Sequence, residues 1–487
     1  MKYQKNDVLK VKIEDIGFDG AGIGKADGYT IFVKDAVIGD IVSARVMKAK
    51  QNFAYAKLEE VVTPSSFRVT PRCNFHRECG GCQLQALSYE KQLEFKQNKV
   101  RNNLLRIGGF KPELVDEVLE PIVGMKQPFR YRNKAQYPVG YDKAGKLVTG
   151  FYAGRTHDII ASTDCLLGDE RNKEILEASL AYMEANGITA YNEKSGAGLV
   201  RHIIIRNGFY SSEVMVCFVL NVKDIKSAKQ FLNRQQDLID AMMKIRGMVS
   251  LILNFNAEKT NVIMGETSHV LWGKETISDR LHILNPQHHF ADTGHYFTYQ
   301  ISPLSFYQVN PRQTEKLYSL ALEYAGLTGQ ETVWDLYCGI GTVSLFFAAG
   351  AKKVYGLEII PEAVRDACQN ARNNKIENIE FFSGKAEVIL PEKHKNEGIH
   401  ADIIIVDPPR KGCDSVCLET MIEIKPQRII YISCDSATLA RDLQILCNSG
   451  YQLKRARAVD QFGQTVHVET VCLLEKKLES YKHEIDS

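Results

Sequence analysis

The chain has 487 residues, of which 44% are apolar and 25% are charged, and its formal net charge is +2. This length allows two to four domains with large cores, and no apolar run approaches the ~18 residues of a membrane span. The polar N-terminus lacks the apolar segment of a signal peptide, so we expect a cytoplasmic protein with no membrane partner. Twelve cysteines in such a protein indicate metal binding or catalysis rather than disulfides.

Residues 1–62 are predicted to form a first domain, a small β-barrel. Alternating apolar and polar segments, such as residues 8–13 and 40–46, are separated by glycines. Basic and aromatic side chains are interleaved in the second half of this domain: Arg45, Lys48, Lys50, Phe53, Tyr55 and Lys57. Such a pattern is typical of surfaces that contact an RNA backbone and stack on its bases. A solvated barrel face is the alternative.

Three cysteines follow in one glycine-containing loop, Cys73-x5-Cys79-Gly-Gly-Cys82. A tetrahedral metal site or an iron–sulfur cluster needs four ligands, and Cys165 is one candidate for the fourth. The spacing alone does not separate zinc from iron–sulfur. It differs from the C-x3-C-x2-C pattern of radical S-adenosylmethionine enzymes, so radical chemistry is not expected. Three unrelated structural cysteines are the alternative.

Residues 63–289 are predicted to form a central, mostly β domain. It contains a lysine-rich amphipathic helix at residues 88–106, and strands dominate from residue 130 onward. Arg130, Arg132 and Lys134 alternate in sequence, which would place them on one face of a strand. We expect them there to hold RNA phosphates, and a plain exposed strand is the alternative.

Residues 290–487 alternate between strands and helices, the pattern of an α/β domain with a parallel sheet. One strand ends in Asp335 and is followed by Gly-x-Gly at the start of a helix, which is a nucleotide-binding turn. The next strand ends in Glu358, an acid that suits ribose hydroxyls. A dinucleotide site would have a third glycine where Ser344 stands. The pattern therefore favours S-adenosylmethionine over NAD.

Two further apolar strands end in chemically active residues. One is followed by Asp407-Pro-Pro-Arg410, the motif of methyltransferases that act on planar nitrogen-containing rings, and the next by Cys434. The carboxyl ends of parallel strands meet at the edge of the sheet where ligands bind. A thiol at that edge indicates covalent catalysis on a ring that is too electron-poor to be methylated directly. A buried structural cysteine is the alternative.

Taken in order, these features resemble the bacterial 23S rRNA uracil-5-methyltransferases over nearly the whole chain. The resemblance is carried by the glycine-rich barrel, the cysteine loop with Cys165, and the segments 306–310, 335–341, 407–410 and 433–434. It implies a class I, Rossmann-like methyltransferase domain, a central β-rich domain and an N-terminal TRAM domain, which is an OB-like RNA-binding barrel.

The resemblance also implies roles for individual residues. A 4Fe–4S cluster would be held by four cysteines: Cys73, Cys79, Cys82 and Cys165. Contacts to S-adenosylmethionine would come from four residues: Gln308, Tyr337, Glu358 and Asp407. Cys434 would be the nucleophile and Glu469 the general base. The sequence departs from the family pattern at Lys385, where an Asp or Asn would read the adenine, and at Gly463, where proline is common.

The implied reaction is methylation of carbon 5 of a specific uridine in 23S rRNA. Addition of a thiolate to carbon 6 makes carbon 5 nucleophilic, and a base must later remove the proton from carbon 5. The target base must leave its stack, so a single-stranded or loop uridine of ribosomal RNA is the expected partner of a monomeric enzyme.

Three other functions remain open from the sequence. A tRNA uracil-5-methyltransferase shares the catalytic half but usually lacks the barrel and the cysteine loop. An RNA 5-methylcytosine methyltransferase also uses a cysteine at a strand end, but it carries a second cysteine where Arg410 stands. An RNA-binding protein with an inert methyltransferase half is the non-enzymatic alternative, and it is disfavoured because Cys434 and Glu469 are both present.

Overall fold

The computed structural model describes residues 2–154 and 156–477. The chain begins with a closed barrel of five strands in the order β1-β2-β3-β5-β4. These are β1 (Val8–Ile16), β2 (Gly22–Ala26), β3 (Tyr29–Lys34), β4 (Ile41–Ala49) and β5 (Phe53–Thr63). Alternate side chains point inward and form a separate small core. A Cβ at Gly24 would lie 2.2 Å from the carbonyl oxygen of Lys12, so only glycine fits this strand contact.

The segment after the barrel contains the cysteine loop and then two helices and a strand, α1 (Tyr89–Arg106), α2 (Pro112–Val118) and β6 (Leu119–Val123). The helix predicted at residues 88–106 is confirmed, and Ser88 caps it by accepting a hydrogen bond from the Lys91 amide. Among the described residues, β6 does not pair within the central region. It joins the C-terminal sheet, where α1 also packs, so the first part of the central segment contacts the C-terminal domain.

The central region is built on a seven-stranded sheet, in the order β13-β12-β11-β10-β7-β8-β9. Its strands are β7 (Lys134–Tyr141), β8 (Leu147–Tyr152), β9 (Ile159–Ala161), β10 (Val200–Asn207), β11 (Val214–Leu220), β12 (Met248–Phe255) and β13 (Thr267–Gly273). The helices α3 (Arg171–Ala185), α4 (Lys229–Leu232) and α5 (Gln235–Met243) belong to the same region. A separate hairpin, β14 (Ile277–Asn285) and β15 (Ala291–Ile301), leads into the last domain.

The last domain has an eight-stranded sheet in the order β18-β17-β16-β19-β20-β22-β21-β6. Its strands are β16 (Thr332–Asp335), β17 (Lys353–Glu358), β18 (Ile379–Ser383), β19 (Ile403–Val406), β20 (Arg428–Ser433), β21 (Tyr451–Val459) and β22 (Glu469–Lys476). Its helices are α6 (Pro311–Ala325), α7 (Thr342–Ala348), α8 (Pro361–Asn373), α9 (Ala386–Glu397), α10 (Ser415–Ile424) and α11 (Ser436–Asn448). The first five strands in this order are parallel.

Alternate residues of these strands enter two different cores. Ile403 and Ile405 belong to the core under α6 and α7, whereas Ile404 and Val406 belong to the core under α10 and α11. Both faces of the sheet are therefore covered, as a parallel sheet requires. The predicted fold class, an α/β domain preceded by a small β-barrel, is confirmed. The domain limits at 62 and 289 stay predictions, and the outermost limits, residues 1 and 487, lie outside the described residues. None of the described helices is long and apolar enough to cross a membrane.

Candidate active site

Strand order gathers the predicted catalytic and cofactor residues at one edge of the last sheet. Asp335 and Glu358 are the final residues of β16 and β17, and Asp407 and Cys434 directly follow β19 and β20. β22 is antiparallel to β20, so its first residue, Glu469, lies at the same edge. Residues that are far apart in sequence thus meet where open α/β sheets bind ligands.

The turn after β16 is shaped by a buried acid. The Asp335 carboxylate accepts a hydrogen bond from the Ser344 hydroxyl at 2.6 Å, which ties the strand to α7. Gly341 has a φ of 83°, in the left-handed region that glycine adopts without strain. The Glu358 carboxylate accepts from the amide of Gly339 at 3.2 Å, so the end of β17 lies against the glycine turn. Burial raises the pKa of Asp335 to about 6.

Gln308 reaches the site from outside the sheet. Its side-chain amide donates to the Asp407 carboxylate at 3.4 Å, and its backbone carbonyl accepts from the Asn133 amide at 2.9 Å. Asn133 lies just before β7, so the central region fixes the segment that carries Gln308. Tyr337 is half-buried and contacts Cys417, and burial raises its pKa.

Cys434, Asp407 and Glu469 form one electrostatic group. Burial, followed by the charges of Glu469 and Asp407, raises the pKa of the Cys434 thiol to about 12, while Arg410 lowers it. Burial and the charge of Asp335 raise the pKa of Asp407 to about 7. Burial and the charge of Asp407 raise the pKa of Glu469 well above its ordinary value. Because these shifts come from burial and from the mutual repulsion of acidic groups, a positive charge bound beside the thiol would stabilise the group.

Glu469 has a further property that a structural residue seldom has. It is 3% exposed, and its Oε2 has no hydrogen-bond partner among the described residues. Buried carboxylate oxygens without a partner are rare because their desolvation is costly. An unsatisfied carboxylate next to a thiol is suited to accept a proton from a bound substrate.

The loop before Glu469 is held by a buried ion pair that the sequence analysis missed. Lys96 of α1 donates to the Asp460 carboxylate at 2.5 Å, and both side chains are fully buried. Tyr89 donates to the same carboxylate at 2.7 Å, and Lys96 also donates to the carbonyl of Phe462 at 3.0 Å. The loop is thus anchored although it contains Gly463. A lysine on the buried face of α1, beside Phe95 and Val100, was the available signal.

The four predicted ligand cysteines line one cavity of about 420 Å³ between the cysteine loop and the start of the central sheet. Burial, with smaller contributions from the other three cysteines, raises the pKa of Cys82 to about 12. The Cys79 sulfur accepts a hydrogen bond from the Gly81 amide at 3.4 Å. Within the described residues, however, no group of three or more histidine, cysteine or acidic side chains is arranged to hold a metal ion.

The prediction of a basic strand at Arg130, Arg132 and Lys134 is wrong. Arg130 has a φ of 54°, and β7 begins only at Lys134. The Arg130 guanidinium donates to the Asp164 carboxylate at 2.8 Å, and burial lowers the pKa of Lys134 to about 7. These side chains are therefore not a row of exposed cations on one strand face.

Comparisons with known proteins agree with this geometry. Residues 2–58 match the TRAM domain, and residues 284–477 match the family described as tRNA (Uracil-5-)-methyltransferase. Relatives from Clostridium tetani and Bacillus cereus, both named uncharacterised RNA methyltransferases, are each 44% identical over 97% of this chain and 97% of their own. The solved structure of Pyrococcus abyssi tRNA (uracil-54, C5)-methyltransferase in complex with S-adenosyl-L-homocysteine has 27% identity and a TM-score of 0.72, and it covers 96% of this chain and 100% of that chain.

The sheet and its acid–glycine turn define a class I, S-adenosylmethionine-dependent methyltransferase. The chain belongs to the RNA uracil-5-methyltransferase family and carries an N-terminal TRAM domain. The predicted enzyme class is confirmed. Because the Pyrococcus alignment covers 96% of this chain, it includes most of the barrel. The sequence analysis assumed that the barrel distinguishes rRNA enzymes from tRNA enzymes. This alignment shows that the barrel alone does not.

Proposed function

We propose that this enzyme methylates carbon 5 of a uridine in 23S rRNA through a covalent bond between Cys434 and the uracil ring. The observation that carries this proposal is the position of the Cys434 thiol beside two acids of raised pKa, Asp407 and Glu469, at the ligand-binding edge of the sheet. We further propose that the chain acts as a monomer in the cytoplasm.

In the proposed reaction, each side chain moves or holds a defined group. The Cys434 sulfur, having lost its proton, adds to carbon 6 as the thiolate, and the electron pair of the ring double bond moves toward the carbonyl at carbon 4. S-adenosylmethionine, when bound, supplies the electrophilic methyl group that carbon 5 takes up. Glu469 then removes the remaining proton from carbon 5, and the double bond re-forms as the thiolate leaves carbon 6.

The cofactor residues fit a positively charged ligand. Asp407 is held by Gln308, and its pKa is raised to about 7 partly by the charge of Asp335. A bound cation would relieve this repulsion and lower the pKa of the nearby Cys434 thiol. We therefore propose that Gln308, Tyr337, Glu358 and Asp407 contact S-adenosylmethionine.

Methylation of tRNA is the second candidate function. It is favoured by the alignment of nearly the whole chain with a tRNA (uracil-54, C5)-methyltransferase. The proposal of 23S rRNA is supported by the resemblance in the cysteine loop and the strand-end motifs. Either substrate would present its uridine unstacked, since the thiol must reach carbon 6 from one face of the ring.

Mapping of 5-methyluridine in a deletion strain tests the choice of substrate. We expect a site in 23S rRNA to lose its methyl group and to regain it when the wild-type enzyme, but not the Cys434→Ala variant, is restored. Transfer RNA from the same cells is the internal control. Loss of 5-methyluridine from tRNA alone would assign the second candidate function.

We also propose a 4Fe–4S cluster on Cys73, Cys79, Cys82 and Cys165. The donor set supports it, because the four thiols line one cavity.

Replacing one ligand cysteine should remove the cluster and weaken folding. Protein purified without oxygen should be brown and contain about four iron atoms per chain. Cys79→Ser should be colourless and give less folded protein, because cluster binding contributes to folding. Cys368→Ser, in the last domain, is the matched control and should stay brown. Stoichiometric zinc without iron in the wild-type protein would contradict the cluster.

The outer face of the barrel is proposed to bind RNA. Three aromatic rings, those of Phe32, Phe53 and Tyr55, lie within 5.5–5.7 Å of one another, centroid to centroid. Lys48 lies opposite Tyr55 on the neighbouring strand. Rings flanked by exposed cations suit base stacking combined with phosphate contact.

Removing one ring and one charge from this face should weaken RNA binding. We expect Tyr55→Ala combined with Lys48→Gln to raise the Kd for substrate RNA about tenfold or more, since stacking alone contributes ~1–3 kcal/mol per base. The measurement is fluorescence anisotropy at several salt concentrations. Val8→Ala with Lys10→Gln, on β1, is the control and should change little. Equal affinities of the two double variants for RNA would show that this face of the barrel does not bind the substrate.

A further inference from the structure

A second cavity, of about 590 Å³, lies apart from the residues assigned above to catalysis, cofactor binding and the cluster. It is lined by residues 125–127 and 129–131, by residues 209–210 after β10, by residues 284, 289 and 290 of the hairpin, and by the start of α6. The side chains that matter for its chemistry are Lys126, Phe129, Phe209, Phe290, Arg312 and Lys316.

The cavity is rich in cations that have no acidic partner. Lys126, Arg312 and Lys316 line it, and none of them is within 4 Å of a carboxylate oxygen among the described residues. The one acid in the wall, Glu315, is engaged elsewhere, because it accepts hydrogen bonds from His282 and Tyr210 at 2.8 Å each. Burial, with the charges of Lys126 and Arg312, lowers the pKa of Lys316 to about 8. The cavity thus has a positive charge that an anion would balance.

Aromatic rings stand beside these cations. The Arg312 guanidinium lies 4.7 Å from the centroid of the Phe209 ring, and the Lys316 ammonium lies 5.8 Å from that of Phe290. Phe129 adds a third ring to the wall. Rings and cations without an acidic partner in one cavity match a ligand that has both a planar base and a phosphate.

One wall of the cavity, the first turn of α6, lies at the same edge of the sheet as Cys434. Arg428, the first residue of β20, donates to the carbonyls of Ala325 and Gly326 at the end of α6, so α6 runs antiparallel to β20. The first turn of α6 therefore lies at the carboxyl edge. Gln313 in that turn donates to the carbonyl of Asp460 at 3.0 Å, which joins the cavity wall to the loop before Glu469.

We propose that this cavity binds one nucleotide of the substrate RNA next to the target uridine. Its phosphate would lie against Lys126, Arg312 and Lys316, and its base against the phenylalanine rings. This inference rests on the proposed function, because it takes RNA to be the substrate. It adds a second RNA-binding site, which would hold the strand while the target uridine is unstacked. A free mononucleotide has the same base and phosphate groups as a nucleotide of the RNA strand, and the experiment distinguishes these two ligands.

The test compares two charge-neutralising double variants. Arg312→Gln with Lys316→Gln alters the cavity, whereas Lys352→Gln with Arg372→Gln removes the same charge at the opposite edge of the sheet. We expect only the first to raise the Kd for substrate RNA about tenfold and to reduce the slope of log K against log salt by ~0.7 per lost phosphate contact. The double variant Arg312→Lys with Lys316→Arg keeps both positive charges and should retain most of the affinity for RNA. This control shows whether the neutral variant loses affinity because charge is lost or because the protein misfolds.

Equal Kd values for the cavity variant and the edge control would overturn the proposal. So would a cavity variant that loses binding of 5′-AMP or 5′-UMP, measured by calorimetry, while its RNA affinity is unchanged. Trapping with RNA that contains 5-fluorouridine shows whether a failed prediction concerns only the nucleotide site or the proposed methylation chemistry as well. If the wild-type enzyme forms no adduct, the proposed chemistry fails; if it forms one while the two double variants bind RNA equally, only the nucleotide site fails.

Discussion

The Glu469→Gln enzyme is expected to accumulate a methylated, covalent enzyme–RNA complex, whereas the Cys434→Ala enzyme forms no complex and no product. Without the thiol, nothing adds to carbon 6 and carbon 5 stays a poor nucleophile. Without the carboxylate, addition and methylation proceed, but the proton on carbon 5 is not removed and the thiolate cannot leave. The complex would appear on a denaturing gel as a slowly migrating band that carries both labelled methyl and labelled RNA.

Two control variants keep this comparison specific. Glu475→Gln alters another acid of β22, near the opposite end of the strand, and Cys368→Ala removes a half-buried thiol from α8. Both should turn over normally. Normal turnover by Glu469→Gln would place the base elsewhere, and normal turnover by Cys434→Ala would refute the nucleophile.

The largest effect on stability is expected at Lys96. Replacing it with methionine leaves the fully buried Asp460 without its cation, and breaking a buried pair in this way typically costs about 3–5 kcal/mol. We expect a lower denaturant midpoint and a loss of activity that exceeds any loss of cofactor affinity, because the loop before Glu469 is released. Chemical denaturation and a cofactor-binding titration measure the two effects.

Removal of both charges provides the control for this prediction. Lys96→Met with Asp460→Asn should recover part of the stability, since no buried charge is left unpaired. Arg101→Met, in the same helix, breaks an exposed ion pair with Asp116 and should change the midpoint little. If Lys96→Met were as stable as Arg101→Met, the buried pair would not hold the loop.

The strand-end residues could be predicted from the sequence because their positions follow from a local rule. An apolar run that ends in Asp335, Glu358, Asp407 or Cys434 delivers each side chain to one edge whenever the strands are parallel. The pairing of Lys96 with Asp460 follows no such rule, since 364 residues separate them. A lysine on the buried face of a helix signals that a partner exists, but not which residue it is.

Two other features depended on long-range packing. β6 pairs with β21, more than 300 residues later in the chain, so the sequence did not reveal that it belongs to the last sheet. Arg130 and Lys134 were predicted to lie on one face of a strand only because basic residues alternate in this part of the sequence. The left-handed backbone at Arg130 and the burial of Lys134 come from contacts with the segment around Asp164 and with the central sheet.

The central claim is that Cys434 is the residue that bonds to the uracil ring. The most direct test is to trap the wild-type enzyme on RNA with 5-fluorouridine at the target position, digest the adduct and map the modified peptide by mass spectrometry. Fluorine at carbon 5 cannot leave as a proton, so the covalent complex persists. We predict that the nucleotide is attached to Cys434, in the segment that follows β20. Attachment to another thiol, such as Cys413 or Cys417, would contradict the claim.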